Sequence, residues 1–129
     1  DLNENIRKRN KNFKYFLKKI NNNIFFSKFD LKGVSNYALP LILKKPSFQL
    51  RNKLEKKMLK NKIEFRRGNA GGGNQLLQPY LKGFVEKTIA NKHFNVTNHI
   101  HNFGYYIGNF PNLSLKKLKK ICDVINSLK

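Results

Sequence analysis

The chain has 129 residues, 40% of them hydrophobic, eleven of them Phe, and a formal net charge of +20. That is enough for one domain with a modest core, and it excludes wholesale disorder. No apolar run approaches the ~20 residues of a spanning helix, the first residues alternate polar and charged unlike a signal peptide, and a single cysteine, Cys122, excludes an internal disulfide and fits a reducing, cytoplasmic setting.

The positive charge invites a nucleic-acid reading. Of the 27 basic residues, however, only Arg7, Arg9, Arg51, Arg66 and Arg67 are arginines, and the lysines are scattered along the chain. The accompanying excess of Asn, Ile and Phe is what A/T-rich codons produce, so we read the charge chiefly as compositional. The chain starts at Asp1 with an amphipathic pattern already under way at Leu2, which reads as a piece of a longer polypeptide.

Helical spacing of Leu2, Ile6, Phe13, Phe16, Leu17 and Ile20 predicts a helix over residues 2–21, ended by Asn21, Asn22 and Asn23. Residues 24–32 form a connection anchored by Phe25, Phe26 and Phe29. Residues 36–43 read as a strand whose continuous apolar character predicts burial on both faces, with Pro40 marking an edge or a bulge. Pro46 and Ser47 start a second helix carrying Leu50, Leu54 and Met58 at i, i+4 and i+8. Met58 reads as core filler. Residues 62–66 are expected to form a short second strand.

A loop of glycines and amides follows, from Gly68 through Gly71, Gly72 and Gly73 to Gln78. Residues 76–82 predict a helical turn, and residues 83–95 a polar, exposed excursion. Residues 103–109 predict an aromatic-rich third strand. Ser114 caps a last helix with Leu115, Leu118, Ile121, Cys122, Ile125 and Leu128 on one face, and Leu113 with Leu118 matches a hydrophobic staple. Three strands with helices on one face make a small α+β domain.

The acidic residues Asp1, Glu4, Asp30, Glu55, Glu64, Glu86 and Asp123 suggest no general acid/base pair. His99 and His101 are spaced for two metal ligands on a strand, yet no Cys or carboxylate lies close in sequence, which argues against a metal site. We expect one of them near a cleft and the other in solvent. Cys122, on the apolar face of the last helix, reads as a buried, inert thiol. The glycine loop matches neither the phosphate-loop nor the dinucleotide fingerprint. Arg66 and Arg67 adjoin it, and arginine suits phosphate and carboxylate. Side chains alternate on a strand, so one arginine is expected to face a cleft and the other solvent.

The run from Phe65-Arg66-Arg67 to Gln78-Pro79-Tyr80, with His99-Ile100-His101 and the stretch Gly108-Asn109-Phe110-Pro111-Asn112-Leu113, resembles the C-terminal part of the DegT/DnrJ/EryC1/StrS family. These are pyridoxal-phosphate-dependent enzymes of nucleotide-linked keto-sugars. Most transfer an amino group, and a sub-branch removes the sugar 3-hydroxyl. The resemblance implies a leading helix and connection over residues 1–33 and a small α+β domain over residues 34–129. The large pyridoxal-phosphate domain, with its Schiff-base lysine or the histidine replacing it, would lie upstream. It further implies Arg66 or Arg67, Asn69 and Asn74, then Gln78, His101 and Asn109, as polar contacts near the substrate or cofactor cleft. No catalytic residue falls in this stretch, so the chain alone is expected to be inactive. A homodimer, a nucleotide-sugar substrate and an amino donor are implied, with aminotransfer placed before 3-dehydration.

Two readings of another class stand beside it. One is a basic nucleic-acid-binding module, with Tyr105 and Tyr106 offering stacking surfaces on a strand. The other is a regulatory or scaffolding domain that kept the fold and lost the chemistry.

Overall fold

The structure, a computed structural model, describes residues 1–81, 83–84, 89 and 92–128. Helix α1 (Leu2–Lys19) leads to strand β1 (Ala38–Ile42), helix α2 (Phe48–Lys60) and strand β2 (Arg66–Arg67). Helix α3 (Asn95–Phe103), strand β3 (Gly104–Gly108) and helix α4 (Leu115–Asn126) complete the order. Single 3-10 turns at Ala70–Gly72, Gln75–Leu77 and Pro79–Leu81 shape the loop after β2. This is the small α+β architecture expected, with one helix, α3, beyond those expected from the sequence.

The sheet is antiparallel throughout, in the order β1-β3-β2. Ala38 pairs with Gly108 and Ile42 with Gly104, while Arg66 and Arg67 pair with Tyr106 and Tyr105. Leu39, Leu41, Tyr105 and Ile107 point to one face and are buried. Ala38, Pro40, Ile42 and Tyr106 point to the other and are only half-buried. The continuous apolar run of β1 therefore does not mean burial on both faces: only alternate residues enter the core. Pro40 sits where its missing N–H does no harm, on the free edge of β1.

Phe13 and Phe16 of α1, Leu54 and Met58 of α2, and Leu118, Ile121, Cys122 and Ile125 of α4 cover the buried face. The helix face predicted for α1 holds at Phe13, Phe16 and Ile20, but Leu2 is 70% exposed. Ser47 and Ser114 cap α2 and α4 by accepting the backbone N–H groups of Leu50 and Lys117. Leu113 and Leu118 are both buried, as a staple requires. In the connection after α1, Phe25 is buried and bridges to Leu43.

The second strand starts four residues later than predicted. Helix α2 ends in a Schellman turn, with Lys62 N–H on Leu59 O at 3.0 Å and Ile63 N–H on Met58 O at 2.9 Å. Lys62 takes the left-handed position, φ +56°, where glycine is usual. That turn commits residues 62 and 63 to the helix end, and pairing begins only at Arg66. Of the predicted excursion over residues 83–95, Phe84, Ile89 and Phe94 are exposed. Residues 85–88, 90 and 91 lie outside the described residues, as does Lys82 of the predicted 76–82 turn, while Asn95 already opens α3.

Candidate functional site

The glycine loop leaves the sheet at Gly68, whose N–H donates to Gly104 O at 2.7 Å, and folds back against α3. The approach is close enough to require glycine. A Cβ on Gly73 would collide with the His101 ring and stand 2.7 Å from Asn69 Cα. Gly73 also holds φ +60° with ψ −126°, a region barred to side chains.

His101 fastens this contact. Its Nδ1 accepts the Asn74 N–H at 3.0 Å, so in the neutral ring Nε2 carries the proton. Asn74, only 2% exposed, spends its side chain on the loop: Nδ2 donates to Asn98 Oδ1 at 3.2 Å and Oδ1 accepts Leu76 N–H at 3.1 Å. Gln78 Nε2 donates to Gly72 O. Asn69 is exposed, and its carbonyl accepts Gly72 N–H at 3.1 Å. The fold thus gathers Asn69, Asn74, Gln78 and His101 into one cluster, in which Asn69 is the exposed member.

The two arginines separate as strand alternation requires. Arg67 lies on the helix-covered face and grips Glu55 of α2 with Nε on Oε1 at 3.0 Å and Nη2 on Oε2 at 2.5 Å. Tyr105 donates its hydroxyl to Glu55 Oε1 at 2.8 Å, and Arg51 Nε stands 3.8 Å from the same oxygen. Burial pushes the Glu55 carboxyl up, but hydrogen bonds from Arg67 and Tyr105 and the charges of Arg67 and Arg51 outweigh it and hold it below its ordinary value. Arg66 lies on the opposite face beside Tyr106, and among the described residues no hydrogen bond or ion pair holds its guanidinium.

Asn109 stands apart, at the far end of β3, roughly 17 Å along the strand from Gly104. It is 1% exposed and holds three segments together. Its Nδ2 donates to Arg9 O at 3.0 Å and Asn36 O at 2.7 Å, and its Oδ1 accepts Asn12 Nδ2 at 3.1 Å.

The two histidines lie on a helix, not on a strand. Two residues apart on α3, they point to different neighbours: His99 Nε2 lies 2.6 Å from Leu43 O, whereas His101 faces the glycine loop. They do not converge on a common point. Tyr105 is in the core and Tyr106 on the open face, so the pair forms no continuous stacking platform. Glu55 is the site residue that sequence reasoning misses. Its only local signal is Arg51 one helical turn before it, because its main partner Arg67 comes from another element.

Among the described residues no lysine is buried; Asn74 and Asn109 are the buried polar side chains. The residues present therefore do not enclose a lysine that could hold an aldehyde cofactor. What the loop offers is a wall of hydrogen-bonding groups, chiefly the Asn69 amide and His101.

No family model and no curated protein sequence matches the chain. Solved structures do. A GDP-4-keto-6-deoxymannose-3-dehydratase with a trapped PLP-glutamate geminal diamine matches over 98% of this chain, with a TM-score of 0.66 and 20% identity. The E. coli GDP-4-keto-6-deoxy-D-mannose-3-dehydratase with bound hydrated PLP matches over 96%, with a TM-score of 0.65 and 22% identity. A histidine-to-asparagine mutant of GDP-4-keto-6-deoxymannose-3-dehydratase (ColD) with bound GDP-perosamine matches over 93%, with a TM-score of 0.69 and 22% identity. The chain spans 31% of the length of each of these proteins. At such identity the likeness establishes the fold, which is that of one segment of a pyridoxal-phosphate enzyme.

Proposed function

We propose that the chain is the C-terminal small domain of a pyridoxal-phosphate-dependent enzyme acting on a nucleotide-linked keto-sugar. The observation carrying this reading is the match of nearly the whole chain to one segment of three such enzymes. The sequence resemblance, drawn from the glycine loop and the Gly-Asn-x-Pro stretch, points to the same group independently.

In this reading, pyridoxal phosphate supplies an electron sink, held by a domain upstream of Asp1. This chain supplies the wall that closes over the substrate. Asn69 and His101 Nε2–H offer hydrogen bonds to sugar hydroxyls, and Arg66, on the open sheet face and without a partner among the described residues, offers charge to an anionic group. Arg67, Asn74, Gln78 and Asn109 act as positioning residues, since each is committed to a contact within the fold. The enzyme is a homodimer in the cytoplasm.

Removal of the 3-hydroxyl is the reading favoured over aminotransfer, because the three matched proteins are named as 3-dehydratases. The test is to express the reading frame extended upstream of Asp1 and record its visible absorbance. A bound-cofactor band supports the proposal, and a folded extended protein without one overturns it. Incubation with a nucleotide-linked 4-keto-6-deoxysugar and glutamate then separates the reactions by mass: a product lacking an oxygen means dehydration, and one carrying nitrogen means aminotransfer.

A further inference from the structure

Lysines scattered along the sequence are gathered by the fold. Helices α1, α2 and α4, which cover one face of the sheet, hold 16 of the 27 basic residues and three of the seven acidic ones. On α1, Arg7, Lys11, Lys14 and Lys18 recur at helical spacing and are all exposed, so they form one outward stripe. Lys53, Lys56 and Lys60 form a similar stripe on α2, and Lys116, Lys119 and Lys120 a shorter one on α4. Of the three acids, Glu4 is held by Lys8 at 2.9 Å and Glu55 turns inward to Arg67. Asp123 alone stands beside the stripe of α4.

The stripes are fixed in one layer, because α4 is tied to both of the other helices. Asn126 Oδ1 accepts Asn21 N–H at 2.8 Å and its Nδ2 donates to Lys19 O at 2.7 Å, which fastens the end of α1. Lys57 Nζ donates to Ser127 Oγ at 3.0 Å, which fastens α2. Composition accounts for the number of lysines but not for their facing one way. On the open side of the sheet the strands carry Ala38, Pro40, Ile42 and Tyr106, with Arg66 their one charge. Two leucines stand in the cationic layer, Leu59 on α2 at 66% exposed and Leu115 on α4 at 61%.

Ten exposed cations in one layer, all lysines except Arg7, can meet a broad negative surface together. We infer that the outer face of α1, α2 and α4 docks on an anionic lipid bilayer. Each cation within a Debye length of such a surface adds to the attraction. The two exposed leucines reach the apolar boundary beneath the headgroups. The contact is peripheral, since among the described residues no helix is long and apolar enough to cross a membrane. A nucleic-acid duplex fits less well. It is a cylinder, which meets one stripe at a time, and it offers the leucines nothing. Single strands call for aromatic platforms, and no aromatic side chain belongs to the stripes.

The test is co-sedimentation of the 129-residue chain with vesicles of phosphatidylcholine mixed with phosphatidylglycerol, and with vesicles of phosphatidylcholine alone. It uses neither cofactor nor keto-sugar, so its outcome stands apart from the proposed function. Binding is expected on the mixed vesicles only, and it should fall as salt rises. Two triple variants, all at exposed positions, lower the net charge by the same amount. Lys14→Glu, Lys56→Glu and Lys116→Glu strike the layer, and Lys28→Glu, Lys32→Glu and Lys44→Glu strike the connections outside it. The layer variant should lose affinity by at least about tenfold, and the other by less than about threefold, both with unchanged melting temperatures. Leu59→Asn with Leu115→Asn changes no charge and should still weaken binding by about threefold. Equal losses in the two triple variants would reduce the effect to net charge and overturn the inference. So would no binding by the native chain, or a DNA duplex that displaces it from the vesicles at equal total negative charge.

Discussion

Arg67 and Glu55 meet in a two-pronged ion pair, with Arg67 closing β2 and Glu55 projecting from the middle of α2. The glycine loop begins one residue after Arg67, so this pair ties the root of the loop to the helix layer. Glu55 is mostly buried and Arg67 half exposed, and both prongs are charge-assisted hydrogen bonds. Glu55→Gln keeps the shape and removes the charge. It is expected to lower stability by about 1–2 kcal/mol, read from the urea midpoint at unchanged slope. A shift indistinguishable from zero would mean the pair is decorative.

The same carboxyl sets an acid limb. A group whose pKa is lower in the folded chain contributes stability above its unfolded value, about 4.3 for Glu. That contribution disappears as pH falls through the folded value. The melting temperature of the native chain should therefore exceed that of Glu55→Gln by its full margin at neutral pH. The margin should close on acidification below about pH 4. Equal margins at every pH would leave Glu55 a packing role only.

Gly73 and Gly71 give a paired test of the loop. Both have positive φ, +60° and +77°. Gly71 is left-handed, and a Cβ added there would meet nothing within 4 Å, whereas Gly73 is pressed on His101 and lies outside the left-handed region. Gly71→Ala should cost about 1 kcal/mol, and Gly73→Ala about 3 kcal/mol or more. Equal costs, measured by urea melts, would show that the loop does not hold its close approach to α3 in solution.

Cys122 is buried against the core, and burial, helped by the charge of Asp123, pushes its thiol up to about 11. The thiolate is the reactive form. Alkylation of the folded chain by iodoacetamide at mildly alkaline pH should be slower than that of the urea-unfolded chain by about a hundredfold or more. Comparable rates would mean that α4 opens readily.

The helices that carry a strong apolar stripe are legible from spacing alone: α1 through Phe13 and Phe16, α2 through Leu54 and Met58, α4 through Leu118 and Ile125. Helix α3 is less so, because Asn95, Thr97, Asn98, His99 and His101 leave only Val96, Ile100 and Phe103 to mark a face, and of these Phe103 alone is buried. Its stability comes from docking on β2 and β3, which no local pattern encodes. The start of β2 is misplaced for a related reason. Residues 62–65 have strand composition, but the end of α2 claims the backbone of Lys62 and Ile63 first. At the site, alternation correctly divides Arg66 from Arg67, while the carboxylate that receives Arg67 lies in another element. Long-range partners of this kind are visible only once the elements are packed.

Asn109 shows how far a buried amide can matter without touching a ligand. It bonds Arg9 O on α1, Asn36 O before β1 and the Asn12 side chain, and Asn36 itself sits at φ +49°. Asn109→Ala would leave the Arg9 and Asn36 carbonyls without their donor and open a small void. The expected loss is about 2–4 kcal/mol. Asn109→Asp, of the same size, keeps an acceptor for Asn12 but presents oxygen to both carbonyls, so it should be no better than alanine. Asn69→Ala, at an exposed position, should stay within about 0.5 kcal/mol of the native chain. Urea midpoints of the three variants decide the matter. If Asn109→Ala and Asn69→Ala lay together near the native value, α1 would not be held to the sheet through this amide.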